Sequence, residues 1–125
     1  MRQAAGLALA CNAELHLLGI VVTTGAMAIA QSAGPTDVIG MEHQRLRKAL
    51  DTAASELAQS NINTLTAIRE GDAVTQILTY VHQIKADLVV MGHSEKGVLA
   101  RWLQGSTSSR LLENLPCSLL IATER

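Results

Sequence analysis

Two short groups of glycine and hydroxyl residues are the part of this chain best suited to hold a phosphate. Gly92-His93-Ser94-Glu95 is followed, after nine residues, by Gly105-Ser106. The first group comes directly after the apolar run Asp87–Met91, which predicts a buried parallel strand. Glycine lets the backbone approach an anion closely, and the N–H groups at a helix start point toward negative charge. The spacing therefore predicts a phosphate site between a strand end and a helix start.

The residues around these groups predict alternating helices and strands. Apolar residues between Val38 and Ser60 recur at helical spacing, and Asp72 stands where a helix N-cap is expected. The helix from Asp72 is expected to carry Ala73, Ile77, Val81 and Ile84 on its apolar face. The predicted strands are 14–22, 64–70, 87–91 and 117–122, and the predicted helices are 1–11, 38–60, one from Asp72, and 106–114. Residues 23–35, which are small and polar, are predicted to form a mobile connection. This order predicts a doubly wound parallel α/β sheet, which binds ligands beyond the carboxyl ends of its strands.

Composition narrows the class of protein further. The chain has 125 residues, 48% of them hydrophobic and none of them Phe, so one domain over residues 1–125 with an aliphatic core is expected. The net charge of −1 argues against a broad nucleic-acid surface. No apolar run reaches the ~18–20 residues that span a membrane, and no signal-peptide layout is present, so we expect a cytoplasmic protein.

Other reactive side chains are scattered along the sequence. Cys11 and Cys117 lack metal-binding spacing and are expected to be buried free thiols. His16, His43 and His82 are also far apart in sequence and are expected to have structural roles, with no metal site. The sequence shows no nucleophile–base pair, no paired carboxylates and no Walker lysine. We therefore expect a protein that is not an enzyme.

The stretch MGHSEKGVLARWLQGSTSSRLLENLPCSLLIA resembles the universal stress protein family. Nucleotide-binding members carry G-x-x-G-x9-G-[S/T] after a strand, then a helix, a proline-containing turn and a last strand. REGDAVTQIL is similar to another strand of the family and to the glycine that begins the next helix. The resemblance covers essentially the whole chain. It implies a Rossmann-like sheet of the adenine nucleotide alpha hydrolase type, with helices on both faces.

The resemblance also implies a ligand and its contacts. Adenine would contact the backbone near Ile20, and the phosphates of ATP or AMP, with Mg²⁺ possible beside ATP, would lie against the two glycine groups. The predicted contact residues are Ile20, Met91, Gly92, His93, Glu95, Gly105, Ser106 and Thr107. Ser106 has a second role open to it, because its hydroxyl can also cap the helix.

Glu95 departs from the family motif, which has glycine at this position. Its carboxylate adds bulk and negative charge near the phosphates, and two unit charges about 5 Å apart repel by roughly 1 kcal/mol in water. Gly97 offers a shifted glycine, and Lys96 and Arg101 offer compensating charge. We expect weak binding of ATP, or a preference for a less charged nucleotide such as AMP.

The start of the chain departs from the family as well. Family members begin with a central strand that carries a short Asp motif, whereas this sequence begins inside the first helix. Three explanations are open: the sequence is a fragment of a longer chain, a partner or neighbouring segment supplies the strand, or the four remaining strands close up. Unpaired strand edges are costly, so each explanation must account for them.

The last strand predicts a subunit contact. Ser118–Thr123 is apolar, short and free of charge or proline, which leaves a sheet edge open to pairing. We expect a homodimer through this strand and no nucleic-acid or membrane partner. The expected function is a stress-response or signalling domain that binds an adenine nucleotide weakly. The alternatives are a nucleotide-independent dimeric interaction module and an adenine-nucleotide hydrolase, which shares the fold.

Overall fold

Helices and strands alternate along the chain, as the sequence predicts. The structure, a computed structural model, describes residues 2–93 and 106–123. The helices are α1 (Arg2–Cys11), α2 (Ala26–Ser32), α3 (Val38–Gln59), α4 (Ala73–Ile84) and α5 (Ser106–Asn114). The strands are β1 (Leu15–Val22), β2 (Thr64–Gly71), β3 (Leu88–His93) and β4 (Ser118–Thr123).

The described strands pair two by two, and both pairs are parallel. Leu15 of β1 is in register with Thr64 of β2, and Leu88 of β3 is in register with Ser118 of β4. The parallel α/β class is thus confirmed. If the four strands closed up around a missing strand, they would form one continuous sheet, and no such sheet forms among the described residues. Residues 5–76 form one compact unit, and residues 77–125 with 1–4 form another. The prediction of one domain over residues 1–125 stays a prediction.

Helix α3 packs on both strands of the 5–76 unit. Gly19 of β1 is buried beneath it, and a Cβ at this position would lie 3.2 Å from Cδ1 of Leu50 and 3.6 Å from Leu46. The absence of a side chain therefore lets the helix approach the strand. Leu57 is the buried residue of α3, at 5% exposure, and the predicted helix over residues 38–60 is confirmed within one residue.

Two helices end on asparagine within this unit. Asn12 and Asn61 adopt φ values of 52° and 62°, in the left-handed region that asparagine tolerates better than most residues. Beyond α3, the N–H of Asn61 donates to the carbonyl of Ala58, and the N–H of Ile62 donates to that of Leu57, both at 3.0 Å. This pair of bonds is the Schellman pattern, which satisfies carbonyls left free at a helix end.

The segment 23–35 contains a helix, so its prediction as a mobile connection is wrong. Helix α2 covers seven residues, AMAIAQS, between Gly25 and Gly34. Alanine and methionine have high helix propensity, which outweighs the flanking glycines over this short stretch. No residue of α2 is buried.

Helix α4 confirms its predicted cap and most of its predicted apolar face. The Asp72 carboxylate accepts hydrogen bonds from the N–H of Thr75 at 3.1 Å and from its hydroxyl at 2.8 Å. Of the predicted face, Ala73, Ile77 and Val81 are buried, whereas Ile84 is only half-buried. Val74 and Tyr80, which periodicity did not select, are buried too.

Both cysteines are free, but the expected burial is wrong for Cys11, which is exposed at the end of α1. Cys117 is half-buried. Burial raises the pKa of the Cys117 thiol, and the nearby negative charge of Asp87 adds to that effect. The neutral thiol is therefore favoured, which makes Cys117 a poor nucleophile. No helix in the described ranges is both long and apolar enough to cross a membrane.

Candidate phosphate site at the carboxyl end of β3

Gly92, which begins the first glycine group, lies near the carboxyl end of β3, in the 77–125 unit. Met91, Gly92 and His93 are the last three residues of the strand, in register with Ile121, Ala122 and Thr123 of β4. The predicted end of this strand at Met91 is wrong by two residues, because β3 continues through Gly92 and His93. The reason is non-local: pairing with β4 holds two more residues in extended conformation.

Among the described residues, the surroundings of Gly92 are open. The glycine is exposed, and within the described ranges no heavy atom beyond its chain neighbours lies within 4 Å of a Cβ built on it. Its φ is outside the left-handed region, so the backbone does not require glycine for conformational reasons. Neither strain nor crowding among the described residues accounts for a glycine here. The arrangement leaves the backbone of the strand end accessible to an approaching ligand atom.

Helix α5 begins at Ser106, as the second glycine group predicts. Leu111, at 2% exposure, anchors the helix, and the N–H of Leu115 donates to the Leu111 carbonyl at 3.0 Å. The first turn of a helix offers backbone N–H groups and a partial positive charge to an anion. Ser106 and Thr107 belong to this turn, and the phosphate contacts of their hydroxyls stay predictions.

Two of the predicted contact residues, Glu95 and Gly105, lie outside the described residues. The effect of Glu95 on phosphate binding therefore rests on the sequence alone. The side-chain contact expected of His93 also stays a prediction. The structure describes His93 only as the last residue of β3.

Ile20, the predicted adenine contact, lies in β1 and belongs to the 5–76 unit. It is half-buried and in register with Arg69 of β2. The Arg69 guanidinium donates to the carbonyl of Ile68 at 3.1 Å. Ile20 is thus two residues from the carboxyl end of its strand, the end at which parallel sheets bind ligands.

A side-chain contact between α3 and β2 escaped the sequence analysis. His43 Nε2 lies 2.6 Å from a carboxylate oxygen of Glu70. Alternation along β2 gives a signal for this contact. Glu70 lies two residues after Ile68 and so on the same face of the strand, and Ile68 is in register with Gly19, over which α3 packs. The sequence alone does not give this register, so it could not predict that Glu70 lies near α3.

A second pair lies on the surface of α3. The Arg45 guanidinium donates to both carboxylate oxygens of Glu42, one of them at 2.9 Å. This hydrogen bonding, aided by the opposite charge, lowers the pKa of the Glu42 carboxyl, while partial burial opposes the shift. Across the described ranges, no group of three His, Cys, Asp or Glu residues is placed to hold a metal ion.

Comparison with known proteins now identifies the class. The model of the universal stress protein family matches residues 1–123. The chain belongs to the universal stress protein family. The universal stress protein Sll1654 of Synechocystis is 31% identical over 78 residues, which cover 62% of this chain and 50% of that protein. The chain spans about half the length of the curated relatives it matches.

Solved structures agree on the fold. The universal stress protein UspA from Lactobacillus plantarum superposes with a TM-score of 0.78 at 24% identity, over 97% of this chain and 85% of that one. A universal stress protein in complex with cAMP gives a TM-score of 0.59 at 23% identity, over 98% of this chain and 83% of that one. The Usp-like α/β fold, expected from the sequence, is thereby confirmed.

Proposed function

We propose that this domain binds an adenine nucleotide, with its phosphates at the carboxyl end of β3, and acts in stress response or signalling rather than in turnover. The observation that carries the proposal is the accessible backbone at Gly92, an exposed strand-end glycine that neither strain nor crowding among the described residues explains. A phosphate that approaches this backbone gives the missing reason for glycine. The start of α5 at Ser106 adds a second group of N–H donors in the same unit.

The adenine part of the proposal rests on family membership. A universal stress protein of the same fold has been solved with cAMP bound, which supports an adenine ligand for this chain. The family membership of this chain covers residues 1–123, so the proposal concerns this domain.

We propose further that AMP binds at least as tightly as ATP. Glu95 brings a negative charge where the family motif has glycine, and the repulsion grows with the charge of the phosphate chain. Mg²⁺ is expected to matter only with ATP, whose charge it partly neutralises. Submicromolar binding of ATP by the natural chain would contradict this preference.

Calorimetric titration with AMP and with ATP, with and without Mg²⁺, tests both proposals. Gly92→Ala is expected to weaken AMP binding by about tenfold or more, equivalent to about 1.4 kcal/mol, because its methyl group occupies the space that the phosphate needs. Gly34→Ala is the matched control, since Gly34 also has open space among the described residues and no left-handed φ. Equal AMP affinities in the two variants would remove Gly92 from the site. Glu95→Gln should improve ATP binding more than AMP binding.

A homodimer through β4 is the second proposal. Leu120 of this strand is 37% exposed, and β4 pairs with β3 on one side only among the described residues. An apolar strand edge of this kind favours pairing with another chain. If the domain is a nucleotide-independent interaction module instead, the purified protein will form this dimer yet release no nucleotide on denaturation. If light scattering gives the mass of a monomer at every protein concentration, both the homodimer through β4 and the dimeric interaction module are excluded.

A further inference from the structure

One face of the β3–β4 sheet in the 77–125 unit carries exposed apolar side chains. Leu88 of β3 is 41% exposed and Leu120 of β4 is 37% exposed. Leu120 is in register with Val90, two residues after Leu88, so both leucines lie on the same face of the sheet. The opposite face consists of half-buried residues, namely Val89, Met91, Leu119 and Ile121. Among the described residues, β4 pairs with β3 alone, so its other edge has no strand partner there.

The composition of β4 favours a second copy of this chain as the partner of that edge. Residues 118–123 carry no charge and no proline, so nothing in the strand opposes pairing. Leu119, Leu120 and Ile121 are three consecutive aliphatic residues, so the reversed strand presents the same kind of side chain at each central position. A strand of this kind is complementary to its own antiparallel copy, as a two-fold symmetric interface requires.

The alternation of side chains restricts the register of such a pair. Residues that lie directly opposite in an antiparallel pair project from the same face of the sheet. Because a two-fold axis repeats the same face in both copies, even-numbered residues oppose even-numbered ones and odd-numbered residues oppose odd-numbered ones. The axis must therefore pass through a residue. The two registers with the longest overlap have their axis at Leu120 or at Ile121, and each pairs all but one of the six residues of β4.

We propose that β4 pairs antiparallel with β4 of a second copy, with Leu120 of each copy on the two-fold axis. The inference rests on the homodimer proposed above and adds its register. An axis at Leu120 sets the two exposed leucines opposite each other, and so removes from water apolar surface that a single chain leaves exposed. It also sets Leu119 opposite Ile121 of the partner subunit, on the other face of the joined sheet.

The alternative axis at Ile121 gives poorer cross-strand pairs. It sets Leu120 opposite Ala122 of the partner subunit and Leu119 opposite Thr123 of the partner subunit. Each exposed leucine then meets a smaller residue, and an aliphatic residue meets one with a hydroxyl group. Pairs of large apolar residues contribute most to the stability of a strand pair, so the axis at Leu120 is favoured.

Disulfide cross-linking distinguishes the two registers. Opposite Cα atoms of an antiparallel pair lie about 4.5–5.5 Å apart, a distance that a disulfide bond spans. With the axis at Leu120, the two Cα atoms at position 121 are offset by two residues and lie about 8 Å apart, which is too far. Both native cysteines are free and are replaced first, by Cys11→Ser and Cys117→Ser. In that background, Leu120→Cys should oxidise to a covalent dimer at least about tenfold faster than Ile121→Cys.

The outcomes separate the register from the dimer itself. Equal rates, or faster cross-linking of Ile121→Cys, would overturn the axis at Leu120 and leave the homodimer through β4 intact. If light scattering shows a dimer but neither variant cross-links, the contact lies elsewhere and both proposals fail. A monomer at every concentration also removes both. Circular dichroism of each variant checks that it keeps the fold.

Lysine substitution provides an independent test. Leu120→Lys should raise the dimer Kd by at least about tenfold, because two like charges would face each other across the axis. Leu88→Lys is the matched control, since Leu88 is similarly exposed on the same face but lies on β3, away from the paired edge, and the dimer Kd should not change. Analytical ultracentrifugation measures both values. Equal losses of affinity in the two variants would show that the whole face makes the contact, and would overturn the axis at Leu120.

Discussion

The two compact units differ in which of their features the sequence explains. In the 5–76 unit, one long helix covers two parallel strands, and three features of this arrangement have a local signal in the sequence: a glycine beneath the helix, asparagines at helix ends and an Asp at the N-cap of α3. In the 77–125 unit, the informative residue is Gly92, an exposed glycine at a strand end with no described heavy atom within 4 Å of a Cβ built on it. The first unit thus shows how a helix packs on strands, and the second offers a strand end whose backbone is exposed.

The helix ends in the two units also differ, in how well the residue fits a left-handed backbone. Helices α1 and α3 end on Asn12 and Asn61, residues that tolerate the left-handed region. Helix α4 ends in the 77–125 unit on Lys85, with φ 54°, where the N–H of Ala86 donates to the Val81 carbonyl at 3.1 Å. The geometry of the turn is alike, but lysine is a poorer choice for it. Local fit between residue and backbone is therefore closer in the 5–76 unit.

The largest expected effect is in the core of the 5–76 unit. Leu57→Ala should lower the free energy of unfolding by about 3 kcal/mol, because the side chain is 5% exposed and its truncation leaves a cavity. Urea denaturation followed by circular dichroism measures the change. Glu56→Ala, at an exposed neighbouring position of α3, is the control and should stay within about 0.5 kcal/mol of the natural chain. A loss below about 1 kcal/mol at Leu57 would mean that this unit does not depend on its α3 core.

A smaller effect, of opposite sign, is expected at the end of α4. Lys85→Gly should raise the free energy of unfolding by about 0.5–1 kcal/mol, since glycine adopts φ 54° without the steric cost of a side chain. Asn61→Gly is the matched control and should gain less, because asparagine already tolerates φ 62°. Equal gains at the two sites would remove the contrast between the helix ends of the two units.

Periodicity and capping residues predicted the scaffold well and the site only in outline. The span of α3 and the cap at Asp72 were predictable because they depend on neighbours within a few residues. Helix α2 was missed because its small residues and flanking glycines look like a connection, and only propensity favours the helix. The extension of β3 to His93 was missed because it depends on pairing with β4, about 30 residues away in sequence. The motif spacing indicated where α5 begins, but contacts at Glu95 and Gly105 stay predictions.

The smallest effect expected is electrostatic and belongs to the surface of α3. Hydrogen bonds from Arg45 lower the pKa of Glu42, so the folded chain releases this proton more readily than the unfolded chain, whose Glu titrates near pH 4.3. The pair therefore adds stability above that pH and loses its contribution as the pH falls through the lowered pKa of the folded state. Arg45→Gln should reduce the Tm slightly at pH 7, and the difference from the natural chain should shrink below about pH 4. Arg47→Gln, at another exposed position of the same helix, is the control and should lack this pH dependence. The same pH profile in both variants would show that the Glu42–Arg45 pair adds nothing to the 5–76 unit beyond the general charge of α3.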